Sequence, residues 1–461
     1  MKSLVLICLL ALSLLAAASP SVAQTPSPSV AEETPAPTPS IAPGTDPATA
    51  TRAWLDTVPA DKRAKSDAYF EGGYWLILWN FLLSSAISII LLSSRISARL
   101  RDFAERTTRF KFFQIVLYAI PTLFLIYLLG FPLTVYENFF REHAYGMATQ
   151  NFSQWITEQV KFLTINLIVT SLLLIGLYAV FRRAPRTWWI WGTVVSVVFT
   201  VLGILLAPVY IEPLFNKYTP LTDTRISEPI LAMARANQIP VTKVYEVDAS
   251  RQTKRVSANV AGFMGTTRIA LNDNLLKRCT LPEIREVMAH EMGHYILNHN
   301  VKLVTYFSLF FLLGFIALRV FFQGAANKWG DRWGLRVAPP EGTVAPLEPA
   351  SSAPAPRLTY GIADPAGLPL LALIFSTVFF FLTPVIHTTI RVHEREADAF
   401  SVNTAREPDA FAMVALKLGE YRKLDPGPWE EIIFFDHPSG RARIRMAMDW
   451  KAANLPAGGT Q

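Results

Sequence analysis

His290-Glu291-Met292-Gly293-His294 sets two imidazoles four residues apart around a carboxylate. On an α-helix, positions i and i+4 share a face, so both rings can hold one metal ion with Glu291 beside an open coordination position. Two neutral imidazoles suit a single Zn2+ ion, and a third protein ligand is needed. His393-Glu394-Arg395-Glu396-Ala397-Asp398 offers it. Glu394 can bind metal while Asp398, four residues on, reaches the free N–H of a metal-bound histidine. The chemistry this set predicts is hydrolysis: zinc lowers the pKa of a water to about 7 and Glu291 takes its proton. A chance motif on a solvated helix face is the competing reading of either pair taken alone.

The elements that must position these residues can be read from their flanks. Thr280-Leu281-Pro282-Glu283 is a capping box with proline in the first turn, so a helix begins near Leu281. Residues 241–247 and 268–271 carry strand patterns, which makes 211–301 a small folded segment ahead of the metal helix. His294 lies nine residues before an apolar run at 303–322, hence about 14 Å above it on a continuous helix. Glu394 lies four residues past another apolar run at 367–390. If one run descends and the other returns, both donors emerge at the same membrane face. His299 does not fit the three-histidine protease spacing and reads as structural, near the interface. His393 lacks an acidic partner four residues on, and His143 and His387 have no catalytic neighbours in sequence.

Composition supplies the setting. Of 461 residues, 51% are hydrophobic and 17% charged, and the apolar ones gather in runs. Six can cross a bilayer: 75–92, 112–131, 162–181, 188–210, 303–322 and 367–390. The predicted class is mainly α, a polytopic transmembrane helical protein with an inserted small α+β zinc metalloprotease domain. Its expected order is a signal peptide or uncleaved anchor (1–23), a Pro-rich disordered linker (24–73) and four transmembrane helices (74–210). A metalloprotease domain (211–301), a transmembrane helix (302–322), a Pro-rich loop (323–366), a last transmembrane helix (367–390) and the C-terminal part of the catalytic domain (391–461) follow. Two cysteines exclude a disulfide framework or a cysteine-rich metal site. The net charge of +7 has no basic stretch interleaved with aromatics, so no nucleic-acid partner is expected. It gathers instead in the first short loop (Arg95, Arg99, Arg101, Arg106, Arg109, Lys111) and the third (Arg182, Arg183, Arg186). By the positive-inside rule this turns the metal end of the protein outward, most simply from a cell (inner) membrane.

These motifs, in this order, resemble the type I CAAX prenyl endopeptidases, integral-membrane zinc proteases with glutamate as third ligand. The likeness runs over roughly residues 75–450. It rests on the two metal segments, on Pro213-Leu214-Phe215-Asn216-Lys217-Tyr218 after span four, and on Glu142-His143-Ala144-Tyr145-Gly146. The resemblance implies further roles. Asn259, in Ser257-Ala258-Asn259-Val260, would lie near a substrate backbone added to an edge strand. His437 of His437-Pro438-Ser439, and Arg443, would contact substrate or stabilise the tetrahedral oxyanion. It also implies seven spans and a cytosolic active site, against six spans and an outward face from the residues alone. The expected substrate is a peptide or protein, membrane-associated or lipid-modified, met at the membrane lipid. An intramembrane protease of the site-two type is disfavoured by Glu283, Arg285 and Asn298 around the motif. The alternative from another class is a non-catalytic transporter or sensor with a regulatory metal. Transporters place ionisable residues inside their spans, and the first four runs here carry none.

Overall fold

The computed structural model describes residues 38–42, 44–262, 267–336 and 361–455. The segment expected to be a signal peptide or anchor (1–23), the expected linker up to residue 37 and most of the expected loop after 336 lie outside them.

The chain runs α1 (Pro47–Asp56), α2 (Ala60–Ser93), α3 (Ile96–Thr107), α4 (Lys111–Val135), α5 (Phe152–Arg183) and α6 (Trp188–Leu206). After α6 come β1 (Tyr218–Pro220), α7 (Thr224–Ala236), β2 (Val244–Val247), β3 (Ala258–Ala261) and β4 (Arg268–Asn272). Then follow α8 (Asp273–Arg278), α9 (Leu281–Ile296), α10 (His299–Trp333), α11 (Leu368–Ala405), α12 (Pro408–Leu418), α13 (Pro428–Phe434) and α14 (Gly440–Asn454). Among the described residues, six helices are long and apolar enough to cross a membrane, and they contain the six predicted runs. Their apolar side chains pack on one another through Tyr118, Phe181, Phe307, Phe311, Phe315 and Phe375, while many others are exposed on the outside of the bundle.

The sheet has the order β1-β2-β4-β3, with β2 and β4 parallel and the outer pairs antiparallel. One face packs on α9 through Ile269, Leu271, Ile284, Met288 and Met292. The capping box forms: Thr280 N–H donates to Glu283 Oε2 at 2.7 Å.

Four expectations about boundaries are corrected. Within the expected disordered linker at 24–73, α1 and the start of α2 are helical. Asp46 caps α1, accepting from Thr49 N–H at 3.0 Å, and Pro47 opens it. Ala50, Trp54 and Leu55 bury against Phe411, Ile444 and Met448, so a start signal was lost in a Pro-rich average. The loop at 323–366 begins later, because α10 continues to Trp333. The boundary at 390 falls inside one unbroken 38-residue helix. Finally, the metal helix and span five are two helices, separated at Asn298, whose φ of 55° is left-handed.

That break does not undo the predicted meeting of the motifs. His299, at the start of α10, touches Glu396 on α11. At the other end of the bundle Arg101 pairs with Asp364 at 2.6 Å and Arg336 with Glu105 at 2.6 Å. The first loop and the loop between the last two spans therefore share one end, and the metal motifs share the other.

Candidate metal centre

α9 and α11 cross closely because Gly293 has no side chain. A Cβ there would sit 3.2 Å from Ala397 Cα and 3.1 Å from Phe400 Cδ1. Ala397 lies between Glu394 and Asp398, so this approach presses both acidic residues against the two histidines. His290, His294 and Glu394 each offer one donor atom, all within 4.8 Å of one another. His290 Nε2 lies 3.1 Å from His294 Nε2 and 3.2 Å from Glu394 Oε2, and His294 Nε2 lies 3.6 Å from Glu394 Oε1. Tetrahedral zinc with ligand distances of 2.0–2.1 Å puts its ligands about 3.3 Å apart. Glu394 Oε2 is buried and faces two imidazole nitrogens, His290 Nε2 and His437 Nε2, each at 3.2 Å. A buried carboxylate oxygen converging with imidazole nitrogens is a donor set that suits a cation. The residues fit zinc.

Asp398, 1% exposed, brings Oδ1 to 2.9 Å from His290 Nδ1. Arg443 Nη2 meets the same oxygen at 2.5 Å. Burial opposes charge on His290, but hydrogen bonding to Asp398 and Glu394 outweighs it and pushes the imidazole up to about 10. Proton and metal thus compete for the same pocket of negative charge.

Glu291 lies within electrostatic reach of His294, His290, Glu394 and His437 and, among the described residues, has no hydrogen-bond or ion-pair partner. Burial pushes its pKa up, with His294 and His290 pulling the other way. A carboxylate raised in this manner accepts a proton more readily near neutral pH.

His437 stands on the turn between α13 and α14, with Nε2 3.2 Å from Glu394 Oε2 and Nδ1 2.8 Å from Asp436 Oδ1. Burial works against the Asp436 charge, but His437 beside it holds the carboxyl well below the usual range. Asn259 is on β3, whose outer edge pairs with no described strand. Its Oδ1 is buried without a hydrogen-bond partner. Arg443, expected at the substrate, is buried on Asp398 and over the Phe411 ring at 5.2 Å.

So the structure gathers His290, Glu291, His294, Glu394, Asp398, Arg443 and His437 into one cluster. Three participants escaped the sequence reading. His299, read as an interface residue, lies with Nδ1 2.8 Å from His294 Nδ1. Glu396 holds the far side of that ring, and Lys302 holds Glu396. The available signal was Asn298, a residue type that tolerates left-handed backbone at a helix end.

Residues 220–451 match the family described as Peptidase family M48, and residues 48–217 match CAAX prenyl protease N-terminal, five membrane helices. The chain belongs to peptidase family M48. Within 48–217 this M48 peptidase has four described helices long and apolar enough to span, not five. It is 28% identical over 369 residues to a Bacillus subtilis protein named uncharacterized metalloprotease YhfN, covering 80% of each chain. It is 26% identical over 336 residues to CAAX prenyl protease 1 of Saccharomyces cerevisiae, covering 70% of this chain and 69% of that one. The crystal structure of S. mikatae Ste24p superposes with a TM-score of 0.67 at 21% identity, covering 85% of this chain and 90% of that chain. At that identity the likeness is one of fold. This M48 peptidase is a multi-pass membrane metalloprotease.

Proposed function

We propose that the metal is zinc and that the protein hydrolyses peptide bonds in membrane-associated or lipid-bearing protein substrates. The observation that carries the zinc assignment is the spacing of the three donors, 3.1 to 3.6 Å, at the edge length of a tetrahedral site. His290, His294 and Glu394 would hold the zinc, which when bound would supply Lewis-acid chemistry toward water and a peptide carbonyl. Glu291 accepts the proton of the attacking water and returns it to the leaving amine. Asp398 orients His290, and Arg443 holds Asp398 as a carboxylate. His437, with Asp436 at its Nδ1, presents Nε2 to the cluster and donates to the developing oxyanion when protonated. Asn259 Oδ1 receives a backbone N–H of a peptide laid along the free edge of β3.

The substrate class rests on the relatives named CAAX prenyl protease 1 and on the spans that flank the metal cluster. For the face of the metal end, in a cell membrane, the loop cations favour the outside and the family resemblance the cytoplasm. A reporter fused after Gln461 tests the face: cytoplasmic reporter activity decides against the outside.

Glu291→Gln tests the chemistry. The variant is expected to keep one zinc per chain and lose peptide cleavage by at least about a hundredfold, the scale of a lost general base. Unchanged cleavage, or no zinc in the unaltered protein, overturns the reading in favour of a non-catalytic polytopic protein.

A further inference from the structure

The left-handed turn at Asn298 folds the start of α10 back on the end of α9, so His299 comes to rest beside the proposed ligand His294. His299 is only 1% exposed. Its ring packs edge-on against that of His393, centroids 4.8 Å apart, and His393 is itself fixed by Nδ1–H donating to Thr389 O at 2.7 Å. The ring therefore has a set orientation, and each of its nitrogens has one partner. Nε2 lies 3.0 Å from Glu396 Oε2, and Lys302 Nζ donates to that same oxygen at 2.7 Å.

These contacts fix where the protons are. A carboxylate held by a lysine ammonium only accepts hydrogen bonds, so His299 Nε2 carries a proton. In a neutral imidazole the other nitrogen then accepts. His299 Nδ1 faces His294 Nδ1 at 2.8 Å, so His294 must donate from Nδ1. That leaves the lone pair of His294 on Nε2, the atom 3.1 Å from His290 Nε2 and 3.6 Å from Glu394 Oε1.

We propose that His299 is a positioning residue for the metal: with Glu396 and Lys302 behind it, it selects the His294 tautomer whose Nε2 can bind zinc. The arrangement parallels Arg443–Asp398–His290 on the other ligand. In each, a cation fixes a carboxylate; Asp398 meets His290 directly, whereas Glu396 acts through the interposed His299 ring. This inference rests on the zinc reading above, and the experiment separates the two.

The experiment is competition for zinc between a chelator and the full chain in detergent, with cobalt absorption as a report on ligand geometry. Thermal unfolding of the metal-free protein serves as the folding control. His299→Ala is expected to weaken zinc binding about 10- to 100-fold, the usual cost of losing a ligand's hydrogen-bond partner, and to alter the cobalt spectrum. His299→Gln restores an acceptor oxygen and recovers part of the affinity. Glu396→Gln keeps an acceptor for Nε2–H and stays within a few-fold of the unaltered protein. Glu396→Lys puts a donor there, reverses the proton order and falls as far as His299→Ala. The proposal is overturned if folded His299→Ala holds zinc as tightly as the unaltered chain, or if Glu396→Gln and Glu396→Lys lose affinity equally. Should His299→Ala fail to fold, the two Glu396 variants decide. An unaltered chain that takes up no zinc defeats the zinc reading itself.

Discussion

Gly293 lies against the backbone of Ala397, so the helix bearing both histidines and the helix bearing Glu394 approach closely where one has no side chain. Ala397 Cα cannot rotate away as a side chain could. Gly293→Ala must therefore push α9 and α11 apart by a few tenths of an ångström, more than the roughly 0.2 Å tolerance of metal–ligand distances. Zinc affinity is expected to fall about tenfold or more, with both histidines and Glu394 intact. Metal content after dialysis against a chelator checks it, and full retention of zinc refutes it.

Asp398 bonds His290, a proposed metal ligand, and is bonded by Arg443, both acid and guanidinium being buried. Removing the guanidinium leaves a buried carboxylate with one partner fewer, a change that is destabilising at the scale of about 3–5 kcal/mol. Arg443→Met is expected to lower both the unfolding temperature and zinc affinity. Adding Asp398→Asn to Arg443→Met should recover stability but not metal affinity, because the amide no longer compels a proton onto His290 Nδ1. Parallel recovery of both would show that Arg443 acts on stability alone.

Glu286, one turn before His290, is buried; its Oε1 accepts from Glu407 N–H at 2.9 Å and its Oε2 has no partner. Burial pushes its pKa up to about 7. The folded state then binds the proton more tightly than the unfolded chain, so stability falls as pH rises from about 4.5 through 7. Glu286→Gln is expected to unfold a few degrees higher than the unaltered protein at pH 8 and at the same temperature at pH 4. Thermal unfolding at the two pH values checks the sign; a gain at pH 4 alone contradicts it.

Trp54, 1% exposed, anchors α1 to α12 and α14 through Phe411, Ile444 and Met448. Trp54→Ala removes a large buried side chain, at a cost of about 3–5 kcal/mol. Because α14 also carries Arg443, cleavage should decline with stability, and proteolytic nicking near residue 58 should appear first. Limited proteolysis followed by mass measurement tests this order.

What could be read from the sequence follows from how far each interaction reaches. The i,i+4 pairs His290/His294 and Glu394/Asp398 are one helical turn each, and uncharged runs of twenty residues announce spans by composition. Their meeting in space was inferable because two consecutive spans return to the same face. Helix α1 was missed although Asp46-Pro47 is a start signal, since its justification lies some 400 residues away on α14. His299 was misjudged for a subtler reason. A straight helix through residue 298 carries it away from His294, and a single left-handed residue, Asn298, brings it back. One backbone angle there outweighs the periodicity of the surrounding sequence.

The unbroken course of α11 has a further consequence. At 38 residues it is about 57 Å long, nearly twice the hydrocarbon thickness of a bilayer. Its first part is a span and its later part carries Glu394. The third donor is thus a passenger on a membrane rod, while His290 and His294 ride a helix uncoupled from its span at Asn298. A thinner or thicker bilayer tilts such a rod. A change of bilayer thickness is thereby expected to reach the spacing of Glu394 from His290 and His294.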